Sequence, residues 1–414
     1  MHHHHREIPE SELNSSFKEL GSVPLIGSIA AAVVGIGLIL MSGATGEDGS
    51  KQFLFSWLVN FAFFLSIAVG SLFFVLFQHI TRAGWGVVIR RFAEFLSLGM
   101  IPLFILSLPI VYSIATGSNA LYEWNNTELA KTDVLLVKKV GYLNSTFFLA
   151  RWAIYFIIWI AIAKFFFNRS VLQDQTRDKS LTLLSEARSA PAIIAFSLTV
   201  TFASFDWLMS LDYKWFSTIF GVYFFAGSMV AFFSVAIISS YVMQTKGLLK
   251  NAITIEHYHD MAKLLYGFIC FWAYIAFSQY MLIWYANIPE ETEWFQIRQS
   301  EHGWDVVSYY VLVFGHFIIP FLLLMPRTLR RNKLWMTGGA IWMLVLHWID
   351  MYWLVIPQLN HHDHAFRTPG AIDLGCFLAV GGIFFAGIAY FASGRALLAK
   401  GDPRLSESLA FENH

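Results

Sequence analysis

The sequence predicts an all-α integral membrane protein of about ten transmembrane helices, and three observations carry that prediction. The chain is 57% hydrophobic and only 14% charged over 414 residues, with 40 Phe and 15 Trp, whereas a soluble chain carries nearer a quarter charged residues. Ten stretches stay apolar for about twenty residues, the length a helix needs to cross a hydrocarbon core with every backbone N–H and C=O paired internally. Lysine and arginine concentrate on alternate loops. The formal net charge is zero, so nothing in it points to nucleic acid; lipid is the solvent that this composition fits.

The ten stretches are 22–42, 53–78, 92–116, 143–167, 191–211, 215–242, 261–286, 305–325, 334–356 and 371–397. Residues 1–21 form a polar tail, and the first apolar run after it is long enough to span rather than to serve as a cleaved leader. Within the long loop 117–142 a surface helix is expected around residues 130–140. Only Asp212, Tyr213 and Lys214 separate the fifth stretch from the sixth, which predicts a tight antiparallel hairpin. Residues 398–414 read as a second polar tail. Loops after even-numbered helices, together with the two tails, hold 20 of the 28 Lys and Arg residues against eight on the opposite side. The positive-inside rule then puts both termini in the cytoplasm.

Asp206 and Asp350 lie inside these stretches. A carboxylate within hydrocarbon costs several kcal/mol unless protonated, paired or hydrated, and so marks a functional site by default. Each sits 15 residues beyond the start of its stretch, near Pro191 and Trp335, or about 22 Å deep at 1.5 Å per residue. Aromatic residues surround both: Phe205, Trp207 and Trp215 near the first, Trp348, Tyr352 and Trp353 near the second. This points to two related four-helix bundles, helices 2–5 (residues 53–211) and 6–9 (residues 215–356), with helices 1 and 10 outside the repeat.

His347 and Asp350 share a face of helix nine, and His316 on helix eight reaches a similar depth. Together they can relay protons, because histidine titrates near neutrality and burial tunes the acid; the alternative is that each only bonds a neighbouring helix and fixes packing. Ser197, Thr199, Thr201 and Ser204 can extend a polar path from Asp206, or can pack small interfaces. Glu94 is a candidate mouth of an inward path, though a solvated helix end accounts for it as well. No catalytic residue and no metal site are assigned.

Two histidines at matched depth are the minimum for a membrane haem, but only the one pair, His316 and His347, meets it. A Cys-x-x-Cys-His motif and an iron–sulfur cysteine set are absent, and Cys270 and Cys376 stand apart. The pair His257/His259 and the run His361-His362-Asp363-His364 read as loop residues, and His2–His5 as a tag or polar tail. No phosphate-binding or dinucleotide motif appears in a supporting context.

The segment Asp206-Trp207-Leu208-Met209-Ser210-Leu211, followed by Trp215-Phe216-Ser217-Thr218-Ile219-Phe220-Gly221 and on to Gly227, resembles the F-type membrane subunit of alternative complex III. That complex is a bacterial quinol:cytochrome c oxidoreductase, and the subunit is related to the NrfD-like, polysulfide-reductase membrane subunits. Thr81-Arg82-Ala83-Gly84-Trp85 and Ile255-Glu256-His257 to Lys263 agree with it. The resemblance implies a non-redox subunit in the bacterial inner membrane, without a cofactor of its own. Haem c and iron–sulfur clusters are then expected on partners: a larger homologous membrane subunit, an iron–sulfur protein and multihaem cytochrome c subunits. Quinone is possible but unplaced, and the subunit contributes either a proton path, carried over to Asp206, His316, His347 and Asp350, or scaffold that clamps its larger homologue. An independent secondary transporter, with the intramembrane acids as coupling-ion sites, is the competing reading.

Overall fold

In a computed structural model, residues 8–43, 47–299, 303–359 and 366–413 are described. They contain ten helices long and apolar enough to cross a membrane: α1 (Val23–Met41), α2 (Gly49–Ile80), α3 (Val87–Ala115), α4 (Ser145–Thr176), α5 (Ser180–Leu211), α6 (Phe220–Thr245), α7 (Ile255–Ala286), α8 (Val306–Leu324), α9 (Lys333–Gln358) and α10 (Ala371–Ala392). The protein is a multi-pass, all-α membrane protein. The runs His2–His5 and His361-His362-Asp363-His364 lie outside the described residues.

Several helices outrun the apolar stretches that announce them. Helix α5 begins at Ser180, eleven residues before Pro191, and α7 begins at Ile255. Hydropathy finds only the part of a helix that lies in lipid; the helix itself runs on until its backbone groups find a cap. At α7 that cap is Thr254, whose backbone N–H donates to His257 Nδ1 at 3.0 Å. His257 and His259 are therefore buried helical residues, not loop residues. The link between α5 and α6 is also longer than the expected three residues, and Asp212 accepts there from the N–H of Lys214 at 3.0 Å. Two short helices, Leu129–Thr132 and Val134–Lys139, occupy the long loop.

Packing follows a repeated plan. Helices α2 and α6, the most buried spans, lie against each other; each also contacts the last helix of the other half, α2 with α9 and α6 with α5. Their approach is close because Gly70 has no side chain: a Cβ there would meet the Ser228 carbonyl oxygen at 2.3 Å. Helix α1 packs chiefly on α10 through Gly35, Gly375 and Gly382, small residues of the kind that let membrane helices touch.

Helix α3 is bent into Val87–Ser97, Met100–Leu106 and Leu108–Ala115, with Pro102 and Pro109 each removing an N–H from the helical ladder. Helix α8 is π-helical from Val306 to Ile318 and becomes α-helical from Ile319. The change falls at Pro320, which has no N–H to bond the carbonyl four residues back.

Both tails lie on one face, here the terminal face, joined where the Phe17 N–H donates to the Arg395 carbonyl at 3.0 Å. The segment after α10 is not a free polar tail. Leu398, Ala399, Asp402 and Ser408 are buried, with Ser408 Oγ donating to the Trp85 carbonyl at 2.6 Å.

Candidate functional site

Helix α2 runs between the two acids near the face opposite the chain ends. Its Phe61 ring meets Trp207 beside Asp206 at 5.1 Å, and its Asn60 accepts from the indole of Trp348, two residues before Asp350, at 2.8 Å. The chain has given the two carboxylates very different surroundings.

Asp206 is buried at the end of α5 with a dedicated cation. Arg151 Nε and Nη2 donate to its two oxygens at 2.7 Å each, and Tyr155 Oη donates to Oδ2 at 2.6 Å. Arg151 and Tyr155 are one helical turn apart on α4 and so reach the same acid. The aromatic faces of Tyr142 and Phe147 flank the guanidinium at 3.8 and 4.3 Å. A cleft of about 310 Å³ lined by Lys139, Tyr142, Ser210 and Asp212 opens beside the pair.

Asp350 is fully buried in α9, and among the described residues no lysine or arginine pairs with it. Its donors are neutral: Tyr223 Oη on α6 to Oδ1, and Trp272 Nε1 on α7 to Oδ2 at 3.2 Å. His316 and His347 complete the group, with ligand atoms of all three residues within 4.8 Å of one another. The sequence brought these three together by depth, and the fold does so in space.

The two imidazoles are held differently. Ser66 Oγ gives its proton to the Phe63 carbonyl at 2.6 Å, so at 2.8 Å it accepts from His347 Nε2. With its proton on Nε2, His347 keeps its lone pair on Nδ1, an atom with no partner among the described residues. Gly227 makes room for this ring, since a Cβ there would stand 2.8 Å from His347 Cε1. His316 lies in the π-helical segment of α8, two residues before its end; the Trp272 ring lies on it at 3.9 Å between centroids, and both imidazole nitrogens lack partners among the described residues. Ring packing thus helps to hold the group, and hydrogen bonds fix only part of it.

The remaining candidates separate. Ser197 is exposed on the opposite side of α5 from Asp206. Ser204 Oγ is spent on the Thr201 carbonyl at 2.7 Å, and Thr201 packs against Gly221. Thr199, buried on the Asp206 face, accepts from Trp159 Nε1 at 2.9 Å. Glu94 is not a solvated helix end: it is fully buried between Arg90 and Arg91, at 3.3 and 3.2 Å. Arg90 also pairs with Asp402 at 2.6 Å and Arg91 with Asp174 at 2.7 Å. Asp174 and Arg151 mark opposite ends of α4, about 34 Å apart at 1.5 Å per residue, so this cluster does not touch the Asp206 pair.

Sequence reasoning missed Arg151, Tyr223 and Trp272, because nothing in their spacing ties them to an acid on another helix. It also missed Arg298, buried in the Pro289–Gln299 helix. Its guanidinium donates to the carbonyls of Trp353 and Leu354 at the end of α9, at 3.2 and 2.8 Å. Burial pushes Arg298 down to about 9, so it remains charged at neutral pH and complements the helix end.

No protein-family model matches this chain, and no curated protein matches it.

Proposed function

We propose that the chain is a non-redox membrane subunit of a respiratory quinol:electron-acceptor oxidoreductase of the alternative complex III type, contributing a proton path. In this reading both termini are cytoplasmic, and the redox groups sit on an iron–sulfur protein and multihaem cytochromes bound to a larger membrane homologue.

The observation that carries the proton role is the contrast between the acids. Asp206 has a bidentate arginine, whereas among the described residues Asp350 has only neutral donors and two imidazoles with free nitrogens. A proton can arrive at the second group without an ion pair being broken. Asp206 is then held in its ion pair with Arg151 beside the cleft of Lys139 and Tyr142, and Asp350 with His316 and His347 is the exchanging group. In this reading a redox-linked shift of a partner acts on the group by moving α8, the helix that carries His316.

The test is Asp350→Asn in the purified complex reconstituted into liposomes, with protons released per electron followed alongside quinol oxidation. Electron transfer should persist while proton release falls. Unchanged proton stoichiometry at normal electron transfer overturns the reading, and ion transport by the lone chain replaces it with a transporter.

A further inference from the structure

The same three side chains have a second chemistry. Two neutral imidazoles and one carboxylate are the donor set of open zinc sites, which take three protein ligands and leave a fourth position. We propose that His316, His347 and Asp350 bind one divalent transition-metal ion of the zinc class, and that this ion closes the proton site.

Four features of the group support it. The donors come from α8 and α9 and lie within 4.8 Å of one another. Bonds of about 2.0–2.1 Å require donors about 3.3 Å apart, so side-chain rotations must close the remaining gap. The lone pairs are free: among the described residues both His316 nitrogens and His347 Nδ1 have no partner although buried. An orienting contact is already in place, because His347 Nε2 is bonded to Ser66 at 2.8 Å; metal-binding histidines ordinarily give their second N–H to such a partner. Asp350 is positioned by Tyr223 and Trp272, and among the described residues no lysine or arginine pairs with it. The donor chemistry selects the metal, since imidazole nitrogen favours Zn²⁺, Cu²⁺ or Co²⁺ over the oxygen-seeking Mg²⁺ and Ca²⁺.

The inference depends on the proton role only for its effect on transport, and the binding can be tested separately. The full chain, with His2–His5 removed to exclude binding there, is stripped with chelator, loaded with Zn²⁺, dialysed and assayed for metal. One zinc per chain is expected. Ser66→Ala, which leaves all three donors in place, should weaken binding by about tenfold, and His316→Gln or Asp350→Asn should abolish it. Zinc-edge absorption on the unsubstituted chain should show two imidazoles and oxygen, and Co²⁺ in its place should give visible bands of low coordination number. No retained zinc, retention unaffected by these substitutions, or a shell without imidazole overturns the site. Zinc bound by two imidazoles with proton release unaffected upholds the binding site and counts against the proton role.

Discussion

Arg151 and Asp206 form a bidentate pair through two 2.7 Å hydrogen bonds, and both are buried near the end of the first bundle. The pair explains how an acid persists there: the guanidinium fork matches the carboxylate, and Tyr155 occupies a remaining lone pair. Breaking a buried pair from one side leaves an uncompensated charge, with a loss of about 3–5 kcal/mol. Arg151→Met should therefore lower stability by that order, and Arg151→Met with Asp206→Asn should recover part of it. Unfolding in mild detergent followed by tryptophan fluorescence measures both; equal loss in the single and double variants would show that the pair is not what stabilises this end.

Gly227 offers a prediction of opposite sign to the usual one. Replacing glycine by alanine inside a helix ordinarily adds about 0.5–1 kcal/mol of stability. Here the new methyl would stand 2.8 Å from His347 Cε1 and 3.2 Å from Nδ1. Gly227→Ala should destabilise the chain and displace the imidazole from Ser66. A raised unfolding temperature would mean that the ring has space to move and is not fixed by α6.

What the sequence could disclose follows from range. Span number came from hydropathy, a local sum, and the His316, His347 and Asp350 group came from counting depth along two adjacent helices. Rotation was the weaker inference: Ser197 lies nine residues from Asp206, about 900° at 100° per residue, which is the opposite face. Thr199, seven residues away, returns to the same face, and it is the buried one. The arginine of Asp206 lies 55 positions earlier, a separation that leaves no local mark. The tail after α10 read as polar because Asp402 and Arg404 are charged, yet Asp402 is buried by pairing.

That pairing gives a third prediction. Asp402 accepts from Arg90 at 2.6 Å and from the Arg404 N–H at 2.8 Å, while Gly401 donates to Asp174 at 3.1 Å. Asp402→Ala removes the closest partner of a buried guanidinium and should cost about 3 kcal/mol. The segment from residue 400 onward should then become open to limited proteolysis, while the ten spans stay protected. Resistance equal to that of the unsubstituted chain would show that Leu398, Leu405 and Ser408 hold the segment without the ion pair.

A last prediction concerns pH on the long loop. Asp133 caps the Val134–Lys139 helix, accepting from the N–H groups of Leu135 and Leu136 at 2.8 and 2.9 Å and from Tyr213 Oη at 3.0 Å. The Leu136 N–H contributes most to holding the carboxyl below its ordinary range. Because the folded value is the lower one, the cap's contribution is fully present above the ordinary carboxylate value of about 3.9 and fades as pH falls through the folded value. Amide hydrogen exchange across residues 134–139, corrected for the intrinsic rate, should show protection that is constant near neutrality and declines in acid. Asp133→Ala should lose about 1 kcal/mol of that protection at neutral pH and remove its acid dependence. If the acid dependence survives the substitution, another carboxylate governs this helix and the Asp133 cap does not.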